Sequence, residues 1–290
     1  MRSLAIVGFG DIGERVVRRL PPSWRSVALR RRASEVPVGV RGVAADLGNP
    51  ETLMALERLA PDALLVTLSP RERSAEAYRA GFTKAMANLL AGLGGHQPTR
   101  AFFVSSTRVY AEGGGEWIDE TAALAVDRDH ARAIIDAENL FLDALPGAFV
   151  LRAGGLYGHG PGPLLRSVAA GRLRPIDTPI FGNRIHREDA AGFIAHALET
   201  EPPDRVINLV DDGCVPLQEV EAWLCDRLRL PYEPPARSDS TAVPTHKRIR
   251  NARLHRSGYR LQYPDYRTGY AQVLRQWIEH SEREDGLDLH

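Results

Sequence analysis

The chain has 290 residues, 43% hydrophobic and 26% charged, an ordinary globular composition with material for one large α/β unit or two smaller ones. Its 37 basic and 37 acidic residues cancel, which argues against a nucleic acid or a membrane surface as partner. Cys214 and Cys225 form neither a disulfide framework nor a metal-ligand pattern, and no run approaches the roughly 20 apolar residues that span a bilayer. Both cysteines read as buried apolar fillers. The opening MRSLAIVGFG is too short in apolar residues for a signal peptide, so a cytoplasmic protein is expected.

In chain order, LAIVGF reads as a buried strand and DIGERVVRRL as a short helix stopped by Pro21 and Pro22. SVALR, VRGVAADL, DALLVTL and AFFVSS follow as strands, with helical stretches PETLMALERLA and SAEAYRAGFTKAMANLLAGL between them. The helix DHARAIIDAENLFLDAL and the strand AFVLRA continue the alternation. This rhythm predicts a doubly wound parallel sheet with helices on both faces, an α/β Rossmann architecture. Beyond residue 153 the texture changes: GGLYGHGPGPLL is rich in glycine and proline, and RPIDTPIFGNRIH reads as short irregular strands. The helix EDAAGFIAHALE and the strand RVINLV then return to the main sheet. A helix around LQEVEAWLCDRL, a Pro-rich linker YEPPARSDSTAVP, a helix through YRTGYAQVLRQWI and a polar tail complete the chain. The expected division is a dinucleotide-binding unit at 1–153, rejoined at about 187–212, and a smaller discontinuous cap at 154–186 and 213–290.

The firmest site is Gly8-Phe9-Gly10-Asp11-Ile12-Gly13, between the first strand and the first helix. Gly8 permits a tight turn, Gly10 a close approach of backbone to a pyrophosphate, and Gly13 close helix–strand contact. The helix start offers unpaired N–H groups and partial positive charge to phosphates. Arg30, Arg31 and Arg32 stand where an NAD site has an acidic residue for the ribose. Guanidinium groups there suit a 2′-phosphate, so NADP is the expected cofactor, with NAD as the alternative. Asp46 closes the third strand, within reach of an adenine amino group or as a strand-end cap. Leu47 beside it, with Leu68 and Ser69 after the fourth strand, completes the expected cofactor contacts.

VGFGDIG, AADL, VSSTRVYAE, LRAGGLYGHGPG, NRIHREDAAGFIAHAL and VINLVDD, in this order, resemble the extended and atypical short-chain dehydrogenase/reductase superfamily. The resemblance covers nearly the whole chain and is specific to NAD(P)-dependent epimerase/dehydratase-like proteins. It implies a Ser four residues before the Tyr of the VY pair, and a Tyr-x-x-x-Lys on the next helix, four residues ahead of a Glu. The Tyr serves as acid/base while the Lys lowers its pKa and holds the nicotinamide ribose. Such a pair needs i, i+4 spacing to emerge on one helix face. Ser106 matches the Ser and Glu138 the Glu, but His130 takes the Tyr position and Ile134 that of the Lys. Lysine occurs only at Lys84 and Lys247, preceded at the fourth place by Ala80 and Val243, so no Tyr-x-x-x-Lys exists anywhere in the chain.

Other groups could take over the proton. A histidine side chain can exchange protons near neutral pH, and His130 occupies the right helical position, yet it also suits a first-turn structural role. Ser106 is placed either for a substrate hydroxyl or for strand-end backbone groups. Tyr110 and Tyr157 are spare phenols near the sheet edge; His186, Asn183 and Arg184 lie at the return from the cap. Thr107 and Arg108 stand where sugar dehydratases carry an acidic pair, which disfavours dehydration. The resemblance therefore implies an oxidoreductase or isomerase acting on a nucleotide-sugar or related carbonyl compound. The alternative is an NADP-binding sensor or scaffold without turnover. The resemblance implies a possible pairing of two copies, for which the helices around 74–93 and 129–145 are the candidates.

Overall fold

The computed structural model describes residues 1–177, 179–237 and 246–285. Seven parallel strands form the main sheet: β1 (Arg2–Val7), β2 (Trp24–Arg30), β3 (Arg41–Ala44), β4 (Ala63–Thr67), β5 (Arg100–Ser106), β7 (Ala148–Ala153) and β10 (Val206–Leu209). Their spatial order is β3-β2-β1-β4-β5-β7-β10, so the winding reverses between β1 and β4. β6 (Gly114–Ile118) pairs with β11 (His246–Ile249), and β8 (Gly155–Tyr157) with β9 (Arg184–His186), each as a two-stranded ribbon.

The helices are α1 (Asp11–Val17), α2 (Pro50–Leu53), α3 (Ala55–Leu59), α4 (Ala75–Tyr78), α5 (Ala85–Gly92), α6 (Asp129–Ala144), α7 (Gly162–Ala169), α8 (Arg187–Glu199), α9 (Leu217–Leu228), α10 (Ala252–Arg256) and α11 (Tyr266–Asp285). The predicted helix over SAEAYRAGFTKAMANLLAGL is continuous, but Arg79–Lys84 is wound as a π-helix between α4 and α5. Ser74 caps it, accepting from the Ala77 amide at 3.1 Å.

Strand alternation sends side chains to two cores. Leu4, Ile6 and Phe102 pack under α8 with Phe193 and Ile194. Ala5, Val7 and Phe103 face the other side, with Met86 and Leu89 of α5 and Ile134 and Phe141 of α6. Each fully buried Leu or Phe contributes about 1.5–3 kcal/mol, which is why the central strands read as unbroken apolar runs. A third core joins Leu165, Val220, Leu224, Tyr266, Tyr270 and Val273, from the segments that the sequence division assigns to the cap. Ile249 and Leu254 of the same stretch instead bury in the two sheet cores, so the chain touches the main sheet once more between α9 and α11. Residues 238–245, which take in the end of the Pro-rich linker, and residues 286–290 of the polar tail lie outside the described residues. No helix among the described residues is long and apolar enough to cross a membrane.

Candidate dinucleotide site

All seven strands end on one edge of the sheet, and the glycine turn sits there at the β1–β4 reversal, where ligands of such sheets bind. Each glycine has its own geometric reason. Gly8 holds φ +80°, and a Cβ there would run into the Thr67 carbonyl. A Cβ on Gly13 would lie 3.0 Å from Ile6 Cγ2 and 3.2 Å from Phe9, so a side chain there would press these neighbours aside by a few tenths of an ångström. Gly10 differs: a Cβ there meets nothing nearer than the Gly8 oxygen at 3.8 Å. The space above Gly10 is therefore open, as backbone contact with a pyrophosphate requires. An open cleft of about 450 Å³ begins there, lined by Phe9, Gly10, Asp11, Arg30, Glu35 and His159 among others. The residues present fit a dinucleotide.

Asp11 would put negative charge at this helix start, but it is neutralised. Arg187 Nη1 lies 2.8 Å from Oδ2 and Arg15 Nε 2.9 Å from Oδ1. Burial works against the Asp11 charge, yet these bonds outweigh it and hold the carboxyl below its usual range. Glu188 bridges Arg15 and Arg19, so α8 clamps α1 directly beside the cradle. Arg30 and Arg32 both face Glu35, at 2.9 and 2.8 Å, while Arg31 is exposed. Asp46 Oδ1 is occupied by the Gly48 amide at 2.9 Å and Oδ2 lies 3.7 Å from Arg71. The Leu47 carbonyl accepts from Asn88 at 2.8 Å. Leu68 is buried and Ser69 exposed; a Cβ on Gly81 would sit 2.8 Å from Pro70 Cα, so the π-helix holds their loop tightly.

At the end of β5 the sequence expectations divide. Ser106 is half-buried, and its Oγ accepts from the Arg108 amide at 3.2 Å, capping the 3₁₀ turn Thr107–Val109. That same turn drives Tyr110 inward, and its expected place as a spare phenol at the site is corrected. Tyr110 is fully buried and its hydroxyl donates to Asn208 Oδ1 at 2.6 Å. Burial pushes its pKa up, with Arg152 opposing. Lys247 approaches the Tyr110 ring at 5.9 Å but donates its hydrogen bond to the Tyr110 carbonyl, not to the phenol. Tyr157 is likewise engaged, stacked on Tyr270 at 4.9 Å. Asn183 spends both ends of its amide on β11, donating to Lys247 O and accepting from Ile249 N. Arg184 is buried with its guanidinium 5.6 Å over the Tyr266 ring.

His130 begins α6, half-buried, with Nε2 enclosed and no partner among the described residues. The ring of Tyr78 stands edge-on to it at 4.4 Å, and the Tyr78 hydroxyl accepts from Arg108 at 3.2 Å. Tyr78 is absent from the sequence expectations because it lies on α4, far from any fingerprint; only the packing of α4 on α6 brings it here.

His186 is fully buried, capping α8: its Nδ1 accepts from the Glu188 amide at 3.3 Å, which leaves the proton on Nε2, 3.3 Å from Gln272 Oε1. Burial pulls its pKa down to about 4 from the ordinary histidine value. The unfolded chain therefore binds more protons than the native state between about pH 6.5 and 4. Stability from His186 is complete above that window and is lost as pH falls through it, on the order of 3 kcal/mol. Urea titrations at pH 7, 5.5 and 4 should show this fall. His186→Asn, which keeps a cap acceptor and removes the titration, should flatten it; an unchanged slope would remove His186 as the cause.

A curated relative from Streptomyces, a 3-diazoavenalumate denitrifying reductase, is 30% identical over 267 residues, covering 84% of this chain and 86% of that protein. A structure from Methylobacillus flagellatus assigned to the NAD-dependent epimerase/dehydratases matches 95% of this chain and 98% of its own, at 32% identity and TM-score 0.79. The chain belongs to the NAD-dependent epimerase/dehydratase family. That family lies in the extended short-chain dehydrogenase/reductase superfamily and is a family of enzymes. A dTDP-glucose 4,6-dehydratase from Streptomyces venezuelae, solved with NAD, shares the fold at TM-score 0.76 and 17% identity, over 96% of this chain and 97% of its own. No family model matches the chain. Within this epimerase/dehydratase fold, the α6 face expected to carry a phenol and an amine carries His130 and Ile134, the latter only 1% exposed.

Proposed function

We propose that the chain is a reductase that prefers NADP to NAD and reduces an electrophilic small molecule. When bound, the reduced nicotinamide supplies the hydride. The observation that carries the reading is the contrast on one sheet edge. The Gly8–Gly13 turn keeps its glycines and the open space above Gly10, while α6 offers His130 and Ile134 in place of a phenol–lysine pair. Epimerisation through a keto sugar must first take the proton from a hydroxyl, and losing a positioned base for that step costs about 10²–10⁴ in rate. A reductase meeting an already electrophilic group has no such need.

The relative's diazo substrate suits this economy of groups. Replacing an aryl diazonium group by hydride forms one C–H bond, breaks one C–N bond and releases dinitrogen. Charge balances without a proton. The chain's part is then to bind and orient both reactants and to exclude water, with Ser106 and the Arg108–Tyr78 pair near the end of β5 as the polar groups at hand. A carbonyl substrate, a nucleotide-sugar included, is the second reading. It is supported by the half-buried Ser106 hydroxyl and would consume one proton per hydride.

The test is NADPH consumption at 340 nm with benzenediazonium and, separately, an aldehyde, with proton uptake recorded and the Gly10→Val variant as the uncatalysed control. Enzyme-dependent diazonium reduction without proton uptake is expected. His130→Ala should change that rate by less than about threefold, since no group need relay a proton. A loss of 10²-fold or more would make His130 the proton carrier and favour the carbonyl reading. NADPH that binds but is never consumed would leave the sensor reading in possession.

A further inference from the structure

We propose that Glu35 is an internal stand-in for the cofactor's 2′-phosphate, and that it sets the balance between NADP and NAD; this rests on the dinucleotide reading above. Arg30 ends β2, one residue after Leu29, whose carbonyl accepts from the Gly8 amide at 3.1 Å. The end of β2 is thus fixed beside the cradle. Glu35 and Arg30 line the same cleft as Gly10, with Val36 and Pro37 as its apolar wall.

The carboxylate divides its two oxygens. Oε2 lies 2.9 Å from Arg30 and Oε1 2.8 Å from Arg32, and the Glu35 carbonyl also accepts from Arg30. Two guanidinium groups converging on separate oxygens of one anion is how arginines grip a phosphate ester. The placement is built into the backbone. The Glu35 amide closes a turn on Arg32 O at 3.1 Å and the Val40 amide another on Pro37 O at 3.1 Å. Gly42 of β3 lacks the Cβ that would collide with the Ala33 carbonyl, so the loop carrying Glu35 lies flat on the sheet edge.

A 2′-phosphate bearing two charges must displace the carboxylate before it reaches Arg30 and Arg32. A ribose 2′-hydroxyl asks for no such exchange. Glu35 therefore burdens NADP and leaves NAD alone. The pairs are partly exposed, Arg30 at 27%, Glu35 at 44% and Arg32 at 77%, so each resists displacement by a factor of only about 1.5–5. The gate is weak enough to open for NADP and strong enough to measure.

The experiment is a fluorescence titration of the full chain with NADPH and with NADH, needing no turnover. Glu35→Gln should tighten NADPH about 3–10-fold and leave NADH within about twofold. Arg30→Leu should weaken NADPH about tenfold or more and spare NADH. Weaker NADH binding in Glu35→Gln would overturn the proposal, because the carboxylate would then be holding the ribose hydroxyl. An unchanged NADPH-to-NADH ratio would overturn it as well. Failure of the unaltered chain to bind either dinucleotide would sink the reductase reading together with this one, and is a separate result from an unchanged ratio.

Discussion

Gly10→Val should lose at least about 100-fold in NADPH affinity while the protein stays folded. The two halves of this expectation come from one measurement of space. A Cβ at Gly10 meets no protein atom nearer than 3.8 Å, and the backbone there, φ −140° and ψ −155°, suits a β-branched residue. The cost to the helix cap is about 1 kcal/mol. The added methyls instead occupy the volume above the amides of the turn, which a pyrophosphate must enter. Gly8→Val makes the informative contrast, because positive φ and the Thr67 carbonyl forbid a side chain even without ligand. It should fail as a fold. NADPH titration beside a thermal melt separates the two variants, and near-normal NADPH affinity in Gly10→Val would move the cofactor away from this turn.

The second large effect is on stability. Glu138 of α6 is 1% exposed and Arg152 of β7 5% exposed; they meet at 2.7 Å, and Ser105 of β5 donates to the same carboxylate. Glu138→Ala would leave the guanidinium in the core without its anion, an expected loss of about 3–5 kcal/mol in urea unfolding. The double variant Glu138→Leu with Arg152→Met removes both charges and should recover most of that loss. A single variant that costs less than about 1 kcal/mol would mean that water reaches Arg152. This pair also has a bearing on the site. It ties α6, β5 and β7 together one residue from Ser106, so it fixes where His130 and Ser106 stand relative to each other.

Much of this architecture was legible because a parallel sheet buried on both faces leaves continuous apolar runs such as LAIV and ALLV, which a linear reading detects. The three glycines were legible too: a side chain would collide at Gly8, press on its neighbours at Gly13 and fill the open space at Gly10. The ribbon of β6 and β11 was not. GGEWI and HKRI carry no apolar alternation, and part of their contact comes from Arg248 set between Trp117 and Phe181 at 5.3 and 4.8 Å. The π-helical turn is equally silent, since it changes hydrogen-bond spacing without changing composition. At the site, Tyr110 misled because one 3₁₀ turn decides whether a phenol faces the cleft or the core. Tyr78 and Glu35 escaped notice for the converse reason. Their relevance lies wholly in neighbours supplied by packing and by a turn.

The uniform direction of the seven strands has a practical corollary for measurement. Asp62 and Thr99 lie just before β4 and β5, where the Thr99 amide donates to Asp62 O at 2.9 Å, on the rim opposite the glycine turn. Five residues of strand put about 17 Å between that rim and the cradle. A cysteine introduced at the exposed Thr99 would carry a dye or a sensor-chip linker that leaves the dinucleotide entrance facing bulk solution, whereas the Asp62 carboxylate is taken up by the Ser3 amide and hydroxyl.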